Sequence, residues 1–338
     1  MEKKTNNPVK SILTIVISLA FAGFFLWLAL KDFDYASFQK SISKANYWWV
    51  LLAACFGISA YWFRAIRWNL MLEPMGHHIS NSNSLWSISF GYLMNLTIPR
   101  SGEVARATAL YGVEKVPVDQ SFGTIILERV VDLVCMVIFL GLTILFKGEV
   151  IYSFYKNSGI NFNSNKILLI LLIIVIGAAL FFIFKKKLAG FPVLDKVISF
   201  IDGILQGLTS IFKLKQKTRF ILYTAGIWIS YYFAAFLVCF ALPETSNFTF
   251  DDGFLILVVG TLGMIIPASG GIGAFNLAMK YGFMALFISM GKSGELGGEI
   301  GLTYSFISLP LQIIIMLTMG LVSIPMLAKA RNNRIIEK

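Results

Sequence analysis

Six ionisable residues stand inside strongly apolar stretches: Arg100, Glu103 and Arg106 in one, and Glu128, Arg129 and Asp132 in the next. A charge at mid-bilayer costs roughly 2.5–3.5 kcal/mol on insertion scales, so such residues persist where they are paired, wet or functional. Glu103 and Arg106 are three apart and share a helix face. Glu128 and Asp132 are four apart and share another, with Arg129 turned about 100° away. Two guanidiniums beside a chain break could hold a phosphate through paired donors, and the carboxylates could carry protons or close an ion-pair network. From sequence, a substrate site and a salt-bridge network that docks one segment on the next are both open. Arg64 and Arg67, beside Trp62 and Trp68, end an apolar run. They read first as interface anchors reaching toward headgroups, and second as phosphate ligands.

The elements that must position these residues follow from composition. The 338 residues are 57% hydrophobic, with a mean hydropathy of +0.74. A soluble domain is about 45–50% apolar, and in water this chain would expose large apolar patches. The class expected is an all-α polytopic membrane protein. The net charge of +11 sits in a few loops between apolar runs, the pattern of loops held on the cytoplasmic side, so no nucleic-acid partner is expected. Cys55, Cys135 and Cys239 lie singly in apolar runs and read as small buried hydrophobes. His77 and His78 form a loop pair without ligand-spaced partners, and neither a metal nor a cofactor is expected. There is no GxxxxGK[ST] or HExxH motif to bring nucleotide or zinc chemistry.

Runs of about 20 apolar residues mark full spans near 11–30, 47–63, 121–146, 166–184, 219–242 and 301–327. The first run is expected to be retained, because Lys31-Asp32-Phe33-Asp34 is no small-residue cleavage site. Two further stretches, near 84–112 and 253–289, are broken in the middle by Pro99-Arg100-Ser101-Gly102 and by Pro267-Ala268-Ser269-Gly270-Gly271, with Gly273 just beyond. If both dip in and return, six full spans remain and the basic loops agree: the N-terminus, the 185–219 segment and the C-terminal tail are cytoplasmic, and the 243–252 loop is outside. Helix-spaced Val197, Ile201, Ile204, Leu208 and Ile211 predict an amphipathic helix over 196–214, either lying in the interface or serving as an ordinary connector.

The breaks are alike. Ile98-Pro99-Arg100-Ser101-Gly102 and Ile266-Pro267-Ala268-Ser269-Gly270 lie half a chain apart, and each follows two spans and precedes one. Three crossings per unit inverts the second copy. The chain is therefore expected to be one domain over 1–338, built from inverted repeats at about 11–146 and 166–327, with two re-entrant broken hairpins. Matched breaks of this kind point to a transporter's midplane site, since freed backbone groups must face protein or a wet cavity and freed N–H groups favour anions. The expected lining is Arg64, Arg67, Arg100, Ser101, Gly102, Glu103, Arg106, Glu128, Arg129 and Asp132, with Asn95, Pro99, Pro267, Ser269, Gly270, Gly271 and Gly273 shaping the breaks. The second break lacks the charges of the first, which makes the polar site asymmetric.

Arg64-Ala65-Ile66-Arg67-Trp68, Asn95-Leu96-Thr97-Ile98-Pro99, Gly102-Glu103-Val104-Ala105-Arg106, Glu128-Arg129-Val130-Val131-Asp132 and Pro267 through Gly273 together resemble the flippase-like membrane family, the transmembrane region of bacterial lysylphosphatidylglycerol synthetases. The resemblance covers nearly the whole chain. It implies an inverted-repeat bundle in the cytoplasmic membrane that moves a lipid between leaflets, an anionic phospholipid or a lipid-linked phosphate. Arg100 departs from the family, which often has a proline or a small residue there. The soluble domain that attaches lysine in those enzymes has no counterpart before Lys338, so a transporter rather than an enzyme is expected. The alternatives are a non-catalytic partner of an envelope lipid- or glycan-modifying enzyme, and a membrane-embedded lipid-phosphate enzyme using Glu128 and Asp132.

Overall fold

The structure is a computed structural model that describes residues 16, 20, 23–30, 35–98, 101–157, 214–266 and 271–336. Among these the secondary structure is helical, with no strand. Residues 23–30 are helical. They are followed by α1 (Tyr35–Ser43), α2 (Tyr47–Leu72), α3 (Asn81–Thr97), α4 (Gly102–Glu114), α5 (Val118–Asn157), α6 (Lys217–Cys239), α7 (Phe250–Ile265), α8 (Ala274–Ser289) and α9 (Gly294–Ile336).

Among the described residues, four helical stretches are long and apolar enough to cross a membrane: Tyr47–Met75, Val118–Ser153, Lys217–Cys239 and Gly294–Asn333. They coincide with four of the six predicted spans and extend past several predicted ends, because the apolar runs stop at the first charges while the helices continue through them. Half of the 11–30 run, the whole 166–184 run and all but Leu214 of the 196–214 amphipathic stretch lie outside the described residues, as do Pro99, Arg100, Pro267, Ala268, Ser269 and Gly270. The chain is a multi-pass helical membrane protein.

The two broken stretches form helical hairpins, α3–α4 and α7–α8. Their arms have 17, 13, 16 and 16 residues. At about 1.5 Å per residue, each arm is roughly 20–25 Å long, short of the ~30 Å hydrocarbon core. Small residues let the arms touch. A Cβ on Gly91 would lie 2.7 Å from the Gly102 carbonyl oxygen, and one on Gly263 would lie 2.9 Å from the Ala278 Cβ. In lipid, where burial of apolar surface drives nothing, such close backbone approach supplies the packing.

Helix α2 lies along α6, α3 packs on α9 and α2, and α7 packs on α5 and α6. Phe56 stacks on Phe233 at 5.0 Å, and Ser59 and Ser230 share a hydrogen bond of 2.9 Å across the α2–α6 seam. One apolar core joins α6 to α9 through residues such as Ile227, Phe236, Leu255, Phe283 and Tyr304. A second gathers Trp68, Leu72, Ile88, Leu110 and Ile125 from α2 to α5. Cys239 is buried and Cys135 partly so. Cys55 is exposed on α2, which corrects its reading as a buried residue: its helix turns that face outward among other exposed apolar side chains such as Leu51 and Leu52.

Candidate functional site

The site grows from α5. Glu128 and Asp132, one helical turn apart, both point at α2, where Arg64 and Arg67 share a face. Arg64 donates to Glu128, to Asp132 at 3.1 Å and to the Tyr231 hydroxyl of α6 at 2.8 Å. Arg67 donates to Asp132 at 3.1 Å and to Thr224 of α6 at 3.4 Å, and its guanidinium lies 3.9 Å from Glu128. From hairpin one, Arg106 grips Glu128 with two donors, at 2.7 and 3.2 Å. This fork geometry holds both position and angle. The Arg106 guanidinium also lies 3.9 Å from the centre of the Trp68 ring, and Trp68 donates to Thr124 at 2.8 Å. Four helices thus meet on two carboxylates.

The cluster is dry. The side chains of Arg64, Arg67, Arg106 and Glu128 are 5% exposed or less, and Asp132 is 15% exposed. Three guanidiniums face two carboxylates, which leaves one positive charge in excess, and the Nε–H donors of Arg64, Arg67 and Arg106 have no hydrogen-bond partner among the described residues. The reading of Arg64 and Arg67 as interface anchors is therefore wrong. Both side chains turn inward, because two carboxylates on α5 compensate them where a headgroup was expected to.

Glu103 and Arg106 also part company. Arg106 enters the core, while Glu103 faces out and accepts from Arg129 Nε at 2.9 Å. This outer pair is open, at 36% and 48% exposure. Arg129 is turned away from Glu128 and Asp132 as its spacing predicts. Beside it, Leu133 and Val134 are exposed apolar residues. Glu103, Arg106 and Arg129 line a small cavity with Gly91, Asn95 and Gly102.

At the first break the freed backbone groups are taken up locally. The Gly102 N–H donates to the Asn95 side chain at 2.7 Å. The Ser101 hydroxyl donates to the carbonyls of Met94 at 2.9 Å and Ile98 at 2.7 Å. At the second, Gly271 and Gly273 sit at φ of 75° and 83°, backbone that L side chains rarely adopt. The Gly273 N–H donates to Asn276 at 3.0 Å, and Asn276 in turn donates to Ser305 of α9 at 2.7 Å. The charge asymmetry between the breaks holds among the described residues. No group of three or more His, Cys, Asp or Glu able to hold a metal ion occurs among them.

Sequence reasoning missed Tyr231 and Thr224, took Trp68 only as a neighbour of the arginines, gave Asn276 no role, and missed an ion triad of Lys147 with Asp251 and Asp252. The triad's partners lie on different helices far apart in the chain and look like ordinary span ends. The Thr249 to Asp252 capping spacing was the one signal there.

A family model described as the lysylphosphatidylglycerol synthase TM region matches residues 15–323. The chain belongs to this family. As a lysylphosphatidylglycerol synthase TM-region protein it carries the segments named above in order, from Arg64 to Gly273, and the structure gathers Arg64, Arg67, Arg106 and Asp132 around Glu128 while Glu103 and Arg129 pair outside. No curated protein and no solved structure matches it.

Proposed function

We propose that this family member moves a phospholipid or lipid-linked phosphate between leaflets of the cytoplasmic membrane, with the headgroup passing the first break. The observation that carries this is the Glu103–Arg129 pair, half-exposed on a surface of exposed apolar residues. Arg129 lies about 17 Å along α5 from its start, near mid-bilayer if α5 begins at the interface. An open ion pair at that depth is costly against acyl chains and compatible with a passing headgroup. The buried cluster behind it is the frame that holds hairpin one, and its excess positive charge favours an anion in front.

The inverted repeat is part of this reading. Exchanging α2, α3, α4 and α5 for α6, α7, α8 and α9 carries nearly every helix contact onto another: α3 on α9 becomes α7 on α5, and α4 on α5 becomes α8 on α9. The α2–α9 contact maps to α6–α5, where Phe139 stacks on Trp228 at 5.3 Å. Short arms and this exchange support two re-entrant hairpins entering from opposite sides, with both chain termini in the cytoplasm. In intact cells, an impermeant thiol reagent should label Asn247→Cys and leave Lys215→Cys unlabelled in a background without Cys55. The reverse pattern would rule out this topology.

The transport test uses liposomes carrying a fluorescent anionic phospholipid. Wild type should make the inner-leaflet lipid accessible. The double change Glu103→Gln with Arg129→Gln should slow this about tenfold, the effect of roughly 1.4 kcal/mol on a barrier, with an unchanged melting temperature because the pair is exposed. Wild-type rates no faster than protein-free liposomes, for phospholipid and isoprenoid phosphate alike, would defeat the reading and favour a partner of an envelope enzyme.

A further inference from the structure

Helix α5 is held at two places by ions. About 15–21 Å from its start, Glu128 and Asp132 tie it to α2 and hairpin one. About 28 Å further along, Lys147 ties it to hairpin two, with its ammonium 2.7 Å from Asp251 and 2.6 Å from Asp252. Lys147 has non-helical backbone angles, φ −127° and ψ 20°, inside α5, so the tie falls on a kink. Asp252 is fully buried and also accepts from the Thr249 backbone and hydroxyl at 2.8 and 2.9 Å, closing the first turn of α7. Just before the kink the packing is aromatic: Phe146 and Phe139 lie 6.0 and 5.9 Å from Phe254.

We infer that Lys147, Asp251 and Asp252 form a clasp that opens and closes the α5–α7 interface at the end remote from the arginine cluster. A largely buried ion pair contributes little net stability, because desolvation offsets its Coulomb attraction, and its best-attested use is in registry and switching. One ammonium between two carboxylates leaves the clasp a unit of negative charge, so its closed form is less balanced than a simple pair. The kink gives α5 a point at which its last turns swing without disturbing Glu128. Hairpin two moves with the clasp, because Asp252 caps the helix that it pairs. As a gate for lipid, the clasp rests on the transport reading; as a movable joint it does not.

The experiment uses spin labels at Tyr152→Cys and Phe250→Cys, both well exposed, in full-length protein with its three cysteines replaced by alanine. With the triad intact the distance distribution should be single and short. Lys147→Met should add a longer population, and so should Lys147→Met with Asp252→Asn, which avoids a stranded buried charge. Lys147→Arg should restore the short one. A distribution unchanged in both methionine variants overturns the clasp. In parallel, Lys147→Cys with Asp251→Cys, joined as a disulfide, should stop lipid movement in liposomes, and reductant should restore it. Undiminished movement by the joined protein overturns the gate. A longer population in the methionine variants, with no lipid movement by wild type, would keep the joint and discard the transport reading.

Discussion

Glu128→Gln is expected to destabilise the protein by about 3–5 kcal/mol, the usual cost of breaking a buried ion pair by removing one partner. Glu128 is fully buried and takes charge-assisted bonds from Arg64 and Arg106, with Arg67 at 3.9 Å. Neutralising it leaves three guanidiniums facing Asp132 alone, so the excess rises from one positive charge to two in a dry site. Arg106 also loses its ion pair, and with it the tie between hairpin one and α5. Asp132→Asn should cost less, because Asp132 is partly exposed and water can compensate. Thermal unfolding of detergent-solubilised protein, read as loss of the monodisperse species on a sizing column, measures both. A Glu128→Gln midpoint within a degree or two of wild type would mean that the cluster does not hold the hairpin.

The second large effect is steric. A Cβ on Gly102 would run into the Gly91 carbonyl oxygen and lie 2.6 Å from the Asn95 side-chain carbon. The first obstacle is backbone and cannot turn away. Overpacking of this kind costs about 1–3 kcal/mol where side chains can yield, so Gly102→Val is placed at the upper end or beyond. It should splay α3 from α4 and displace Arg106 from Glu128. Gly112, in the same helix, has nothing among the described residues within 4 Å of where a Cβ would stand. Gly112→Ala should instead raise stability by about 0.5–1 kcal/mol through backbone entropy. The same unfolding measurement reads both, and equal behaviour of the two variants would contradict the close approach.

The apolar periodicity determined the membrane class, four of the described spans and the position of both breaks, because a span's length is fixed by the bilayer and a Pro/Gly cluster interrupts backbone hydrogen bonding wherever it stands. Helical spacing also placed Glu128 and Asp132 together and Arg129 apart from them. These are local properties, carried by residues within a turn or a bilayer thickness of one another. Where each charge finds its partner is not local. Arg64 and Arg67 beside two tryptophans have the composition of an interface anchor, and they are buried because α5 presents two carboxylates at that height. Glu103 and Arg106 share a face by spacing, yet the small residues at the α3–α4 contact set a rotation that sends one inward and the other out. Lys147 met Asp251 and Asp252 only when α7 was laid against the kink in α5. Tertiary packing decided these pairings because a buried ion takes whichever compensating charge the packed helices bring within reach, and sequence spacing specifies distances along a helix, not between helices.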